Sequence, residues 1–339
     1  MPPTSHAFRH SLPRIALLAT GGTIAGAGAT AADTGRYTSA VTGVDALLAA
    51  VPQIAEVAAV QGEQVLQIGS ESFHNERLLL LARRVAALAA SDEVDGIVVT
   101  HGTDTLEETA YFLHLTIPSA KPIVLTGAMR PATALSADGP LNLLDAVVVA
   151  GSPEAAGKGV LVVMDQQVHS ARDVAKTHAS RTDAFRSEYG PLGTVADGRV
   201  RFYRLPARPH TTASLFDIGR IAALPEVGVV YAHGHTIPAP YEALAAAGAR
   251  AIVHLGFGGG TVPDYLEATL HGLRARGVLL VRASRTGGGA VVRNGAVDDD
   301  GLGWVAADDQ NGAKARLLAA LALAEGLDAA GMQQVFSTY

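Results

Sequence analysis

Cysteine is absent from all 339 residues, which excludes a thiol nucleophile, a cysteine-ligated structural zinc and any disulfide framework. Aromatic residues are only 5% of the chain while alanine and glycine are abundant, a composition suited to helices packed closely on a sheet rather than to a disordered or fibrous chain. No apolar run approaches the ~18 residues that a bilayer span needs. The opening stretch Met1 to His10 lacks the apolar core of a signal peptide, so the chain as written is expected in the cytoplasm, off the membrane. A basic stripe is missing too: the net charge is -6, which argues against a nucleic-acid partner. No Lys-Ser or Lys-Thr pair follows a glycine-rich turn and no three glycines stand at dinucleotide spacing, so a nucleotide cofactor has no phosphate cradle. The twelve histidines are scattered without a His-Glu-x-x-His, and His233-Gly234-His235 reads as a loop or strand end. No metal and no cofactor are expected.

What is present is a repeated kind of junction. The apolar run Gly96 to Thr100 ends in His101-Gly102-Thr103-Asp104-Thr105-Leu106-Glu107-Glu108 and passes into Tyr111-Phe112-Leu113, a strand giving way to a helix. Ligands of open α/β sheets sit beyond the carboxyl ends of the strands, so Thr103 and Asp104 are displayed where small molecules bind. The plainer reading is that Asp104 or Thr105 only caps a helix whose first turn carries Glu107 and Glu108 against the dipole. A second junction raises the odds of chemistry: Ile15 to Ala19 runs into Thr20-Gly21-Gly22-Thr23-Ile24-Ala25, where glycines allow a sharp turn and close approach to a ligand. Thr23 then stands at the mouth of the sheet as a hydroxyl nucleophile.

Elsewhere short β-branched runs (96–100, 123–126, 159–164, 227–231, 251–255, 278–281) alternate with helical patterns (76–90, 141–150, 241–247, 265–274, 313–327). That alternation predicts a three-layer α/β/α fold, with a mixed sheet in a larger N-terminal domain and a parallel sheet in a smaller C-terminal one. The layout expected is a flexible N-terminus over 1–13, an N-terminal α/β catalytic domain over 14–199, a linker over 200–218 and a C-terminal α/β domain over 219–339. After Met164 the sequence turns irregular and polar, and Val200 to Phe216, with Pro206 and Pro209, reads as part of the linker.

Together the two junctions resemble the paired signature sequences of the bacterial L-asparaginase and glutaminase-asparaginase family. The resemblance continues through Val51-Pro52-Gln53, Gly69-Ser70-Glu71, Gly127-Ala128-Met129-Arg130-Pro131, Ser136-Ala137-Asp138-Gly139-Pro140, Ala171 to Thr177 and Tyr189 to Gly193. It thins in the C-terminal half to Gly256-Phe257-Gly258-Gly259-Gly260 and Arg282-Ala283-Ser284-Arg285. It implies hydrolysis of L-asparagine, with L-glutamine as a plausible second substrate, through a threonyl acyl-enzyme. It also implies a homotetramer of intimate dimers. Many members are exported with a cleaved leader, for which the compartment would be the periplasm.

Amide hydrolysis needs a nucleophile, a base, donors for the oxyanion and an anchor for the rest of the substrate. By resemblance Thr23 is the nucleophile and Tyr37 its proton acceptor or relay on a mobile loop. Thr103, Asp104 and Lys176 match a second catalytic group, in which the lysine polarises the threonine and the aspartate holds the substrate's α-amino group. Ser70 and Glu71 match positions that grip the α-carboxylate and α-amino group, and Glu in place of Gln at 71 fits appreciable glutaminase activity. Ala128 lines the reacting amide through its backbone. Taken singly, Tyr37 would read as a surface tyrosine, Lys176 as a solvated cation and Ala128 as packing; His101 reads as structural.

Two positions depart from the family. Thr261 stands where Asn or Ser reaches into a neighbouring subunit's site, which keeps a hydroxyl. Ala296 stands where a Glu usually pairs with the loop tyrosine across the intimate dimer; either Asp298 or Asp299 supplies the charge, or Tyr37 works without it. The rival from another class is a catalytically weak amino-acid binding or regulatory protein on the same scaffold. A nucleotide-dependent enzyme is disfavoured by the missing phosphate signatures.

Overall fold

The computed structural model describes residues 12–339; of the expected flexible N-terminus, residues 1–11 lie outside the described residues. The chain resolves into two compact units, one formed by 12–73, 84–106 and 119–205 and the other by 74–83, 107–118 and 206–339. The stretches 74–83 and 107–118, which chain order places before the linker, thus group with the second unit.

The first unit is built on strands β1 (Arg14–Gly21), β4 (Ala59–Ile68), β5 (Gly96–Thr100), β6 (Ile123–Thr126), β7 (Val160–Met164), β8 (Gln167–Ser170), β11 (Gly193–Ala196) and β12 (Arg199–Phe202), with two small hairpins, β2 (Ala27–Gly28) with β3 (Tyr37–Thr38) and β9 (Val174–Lys176) with β10 (Phe185–Ser187). The large sheet has the order β12-β11-β8-β7-β6-β5-β1-β4. Strands β4, β1, β5, β6 and β7 run parallel, and β8, β11 and β12 add antiparallel ribbons. The sheet is therefore mixed, as the strand-and-helix alternation predicts. β5, β6 and β7 are buried along their whole length, which is why they read as unbroken apolar runs rather than as alternating ones. Helix Gly139–Ala150 covers one part of this sheet with Leu143, Ala146, Val147, Val149 and Ala150.

The polar text after Met164 is not irregular; it is a set of hairpins. Asp165 and Gln166 both take positive φ, 50° and 62°, between β7 and β8, and Asp197 and Gly198 do the same, 50° and 68°, between β11 and β12. Two consecutive left-handed residues are the turn whose twist matches paired strands. The Asp197-Gly198 dipeptide is its sequence signature, and the Arg-Val-Arg-Phe run after it alternates with period two. Val200 to Phe202, read as linker, belong to an edge strand.

The second unit carries the parallel sheet β13 (Val227–Tyr231), β14 (Ala251–Gly256), β15 (Leu279–Ser284) and β16 (Val305–Ala306) in sequential order. On one face Val230, Ile252 and Leu280 pack with Tyr241, Leu266, Leu270, Leu273 and Trp304. The alternate residues Val253 and Val281 are fully buried too, on the side where helix Gly312–Ala324 lies against β13, β14 and β15. Helices on both faces make this unit three-layered. Among the described residues no helix is long and apolar enough to cross a membrane.

Candidate active site

Four neighbouring parallel strands end at the same edge of the large sheet. Gly21 of β1 pairs with Ile68 of β4, Ala19 of β1 with Thr100 of β5, and Thr100 with Thr126 of β6. Each strand leads into a segment that stands out in the sequence: Gly22-Thr23 after β1, Gly69-Ser70-Glu71 after β4, His101 to Asp104 after β5, and Gly127-Ala128 after β6. Parallel pairing in register thus gathers segments up to about a hundred residues apart at one carboxyl edge.

Glycine is needed where two of these segments cross. Gly22 has φ 79°, and a Cβ there would run into the backbone of Gly102; a Cβ on Gly102 would lie 2.6 Å from Ser70 Oγ. Backbones this close admit no side chain. The crossing brings the turns bearing Thr23 and Thr103 together.

Thr23 is buried in the short helical turn Thr23–Ala25. Its Oγ1 is 2.8 Å from the Tyr37 hydroxyl, and either oxygen can donate. Tyr37 arrives through the β2–β3 hairpin, in which Gly28 pairs with Tyr37. Gly26 leaves room for the ring, since a Cβ there would lie 3.0 Å from Tyr37 Cδ2.

Lys176, at the end of β9, donates from Nζ to Thr103 Oγ1 at 2.8 Å and to Asp104 Oδ1 at 2.6 Å. The lysine side chain is 17% exposed and that of Asp104 60%, so the ammonium is sheltered while the carboxylate opens to an incoming molecule. Ser70 Oγ accepts from the Asp104 amide at 3.1 Å, and Thr105 Oγ1 donates to the Ser70 carbonyl at 2.9 Å. Glu71 is exposed, its carboxylate folded over Gly69, where a Cβ would collide with it. His101 lies beneath the loop, fully buried. Its Nδ1–H donates to the Gly102 carbonyl at 2.8 Å and its ring meets Phe73 at 4.4 Å. Burial holds its pKa down at about 4, so the imidazole is neutral at pH 7 and acts as packing and a donor.

Ala128 is fully buried. A Cβ on the preceding Gly127 would sit 3.3 Å from Thr103 Cγ2, which places this turn against the Thr103 methyl. Asp138 holds the turn, accepting from the Met129 and Arg130 amides at 2.9 Å each. Ser136 to Pro140 stands in the sequence as a motif to which the residue pattern assigns no role. The role is tertiary, because Asp138 acts on a segment eight and nine residues earlier.

Thr261 lies in the second unit, exposed, its Oγ1 donating to Phe257 O at 3.2 Å and its carbonyl facing His254 Nε2 at 3.2 Å. Ala296 is exposed in the same unit. Asp299 is not available to replace a carboxylate there: it is fully buried, paired with Arg282 at 2.6 Å and 2.7 Å, and accepts from the Asn294 amide. Asp298 accepts from Gly301 N as the cap of helix Asp299–Leu302. Among the described residues no three His, Asp or Glu side chains cluster to hold a metal ion.

Comparison with known proteins bears on the family and the fold. The family described as "Asparaginase, N-terminal" matches residues 14–208 and that described as "Glutaminase/Asparaginase C-terminal domain" matches 226–336. A "Glutaminase-asparaginase" of Pseudomonas fluorescens biotype A is 51% identical over 329 residues, covering 97% of this chain and 91% of that protein. The "L-asparaginase 2" of Escherichia coli strain K12 is 44% identical over 330 residues, covering 97% and 94%. Among solved structures, a "Probable Cytoplasmic L-asparaginase" from Campylobacter jejuni superposes with a TM-score of 0.93 at 42% identity, over 96% of this chain and 100% of the other.

Proposed function

The chain belongs to the asparaginase family, and on that premise we propose that it hydrolyses the side-chain amide of L-asparagine, and also of L-glutamine, to the dicarboxylic amino acid and ammonia. The observation that carries the reading is the 2.8 Å contact between Thr23 Oγ1 and the Tyr37 hydroxyl, at an edge where a second hydroxyl, Thr103, is held by Lys176. A threonine hydroxyl attacks an amide only when a partner takes its proton. Tyr37 relays it: the phenol oxygen accepts the Thr23 proton as Oγ1 bonds to the amide carbon and passes its own O–H proton on to the amide nitrogen. The tetrahedral intermediate collapses when the nitrogen, protonated, leaves as ammonia, and Thr23 is left as the acyl ester. Water then adds to the ester carbon, gives a proton back toward Thr23 Oγ1, and the dicarboxylic amino acid departs. Lys176 orients and polarises Thr103 beside this centre.

Substrate is held at its other end. Asp104, exposed and fixed by Lys176, takes the α-ammonium group together with Glu71. Ser70 serves the α-carboxylate, and the backbone of Ala128 lines the reacting amide. Thr261 completes the site of a neighbouring subunit in a homotetramer of intimate dimers.

Ammonia release from L-asparagine and L-glutamine at neutral pH, measured for the wild-type chain and for Thr23→Ala, tests the reading. Expected is release from both amides and a loss of at least about a thousandfold in the variant, the scale on which removing a covalent nucleophile acts. Stoichiometric binding of aspartate with no release from either amide would instead establish an amino-acid binding protein, for which the missing carboxylate at Ala296 would be the reason.

A further inference from the structure

Between β6 and helix Gly139–Ala150 the chain makes a compact loop closed at its base by one carboxylate. Asp138 Oδ2 accepts from the Met129 amide at 2.9 Å and from Asn142 Nδ2 at 3.2 Å, and Oδ1 accepts from the Arg130 amide at 2.9 Å. Arg130 Nη1 donates back to the Ser136 carbonyl at 2.8 Å. From this closed loop four hydrogen bonds cross to the segment that follows Thr23, one of them from Thr133 Oγ1 to Gly28 O at 3.5 Å. The Ala132 amide donates to Gly26 O at 3.0 Å, the Gly28 amide to Thr133 Oγ1 at 2.8 Å, and the Leu135 amide to Ala31 O at 2.8 Å. Gly26 directly follows the turn of Thr23, and Gly28 is the ladder partner of Tyr37. Farther out, at Thr30 to Asp33, the loop is bonded to itself, with Asp33 Oδ2 accepting from Thr30 N and Oγ1.

We propose that Thr133 and Asp138 are positioning residues for the Thr23–Tyr37 pair: Asp138 sets the shape of the 129–136 loop, and Thr133 latches the tyrosine hairpin to it through Gly28. The proposal rests on the reading that Thr23 and Tyr37 carry acylation. Neither residue touches Thr103, Asp104, Lys176 or Ser70 in the bonds that hold that group, so loosening the latch slows the step that needs Tyr37 and leaves the substrate grip intact. Thr133 is exposed, so its hydroxyl can be removed with little effect on folding.

The test is a double-mutant cycle on kcat and KM for ammonia release, with Thr133→Val, Thr133→Ser, Asp138→Asn, Tyr37→Phe and the pair Thr133→Val with Tyr37→Phe. One hydrogen bond of net worth about 1 kcal/mol corresponds to roughly fivefold in rate. Thr133→Val is expected to lower kcat about three- to tenfold with KM within twofold, and Thr133→Ser to restore it. Asp138→Asn, which puts an amide nitrogen against a backbone N–H, should lower kcat at least as far. In the Tyr37→Phe background Thr133→Val should change nothing further, since coupled sites are non-additive. A wild-type kcat in Thr133→Val beside a slow Tyr37→Phe overturns the latch and leaves the acylation reading standing, as does a Thr133→Val loss that persists undiminished without the tyrosine hydroxyl. A wild-type kcat in Tyr37→Phe itself overturns the acylation reading, and the latch with it.

Discussion

At the residue scale the site divides by how each side chain is held. Thr23 and Thr103 are buried and each has one committed partner, Tyr37 and Lys176, whereas Asp104 and Glu71 are open. Committed partners suit groups that act on the bond being broken, and open carboxylates suit groups that meet an incoming ammonium. Unlike Asp104, Glu71 makes no hydrogen bond to the Lys176 cluster, so changing it should alter selectivity before it alters chemistry. Glu71→Gln removes a negative charge at the α-amino end. Glutamine, one methylene longer, depends more on that grip to keep its amide at Thr23, so the Asn-to-Gln ratio of kcat/KM should rise about tenfold, within the ~1–3 kcal/mol that one methylene discriminates. Parallel ammonia assays on the two amides check it, and an unchanged ratio would remove Glu71 from the specificity-determining set.

At the element scale, helix Gly139–Ala150 does two things at once. Its first turn follows Asp138, whose carboxylate serves Met129 and Arg130 and makes no side-chain cap; Pro140 at the start tolerates that, having no N–H to satisfy. Its middle buries Asp145 at 4% exposure, with Oδ2 lacking a hydrogen-bond partner. Burial pushes that carboxyl up to about 6 from 3.8. Because the folded value lies above the unfolded one, the folded state binds the extra proton between them. Stability is therefore full below pH 3.8 and declines as pH rises through 6. Asp145→Asn should raise stability by about 1–3 kcal/mol above pH 7 and by nothing measurable near pH 3.5. Thermal melts of both proteins across that range decide it, and an equal gain at both ends would show that charge burial is not the cause.

At the scale of the whole molecule, the two units carry separate sheets, and the second presents Thr261 and Ala296 on its surface. The homotetramer proposed on the family resemblance should be found by light scattering after size exclusion, at four times the 34.8 kDa of the chain. A monomer releasing ammonia at full rate would show that each site is complete within one chain and that Thr261 has no part in it.

The sequence alone determined the fold class and the two signature junctions, because burial on both faces writes a strand as an apolar run and a glycine turn marks its end. Ranges such as Gly96–Thr100 and Ile123–Thr126 were legible to the residue for that reason. Tyr37 and Lys176 as partners of the two threonines came from the family resemblance, not from the residue pattern. Tertiary structure alone decided three other things. The ribbons after Met164 carry no long apolar run, since their strands are only three or four residues long with polar residues among them, and little beyond turn residues announces them. Asp299, which the sequence offered with Asp298 as a source of the charge missing at Ala296, is spent inside on Arg282, because a guanidinium buried on β15 must have a counter-charge. Asp138 acquires its role only when β6 and the helix after it bring its carboxylate under two backbone amides. Local pattern records which face a residue shows; a contact made across the chain leaves no periodicity to read.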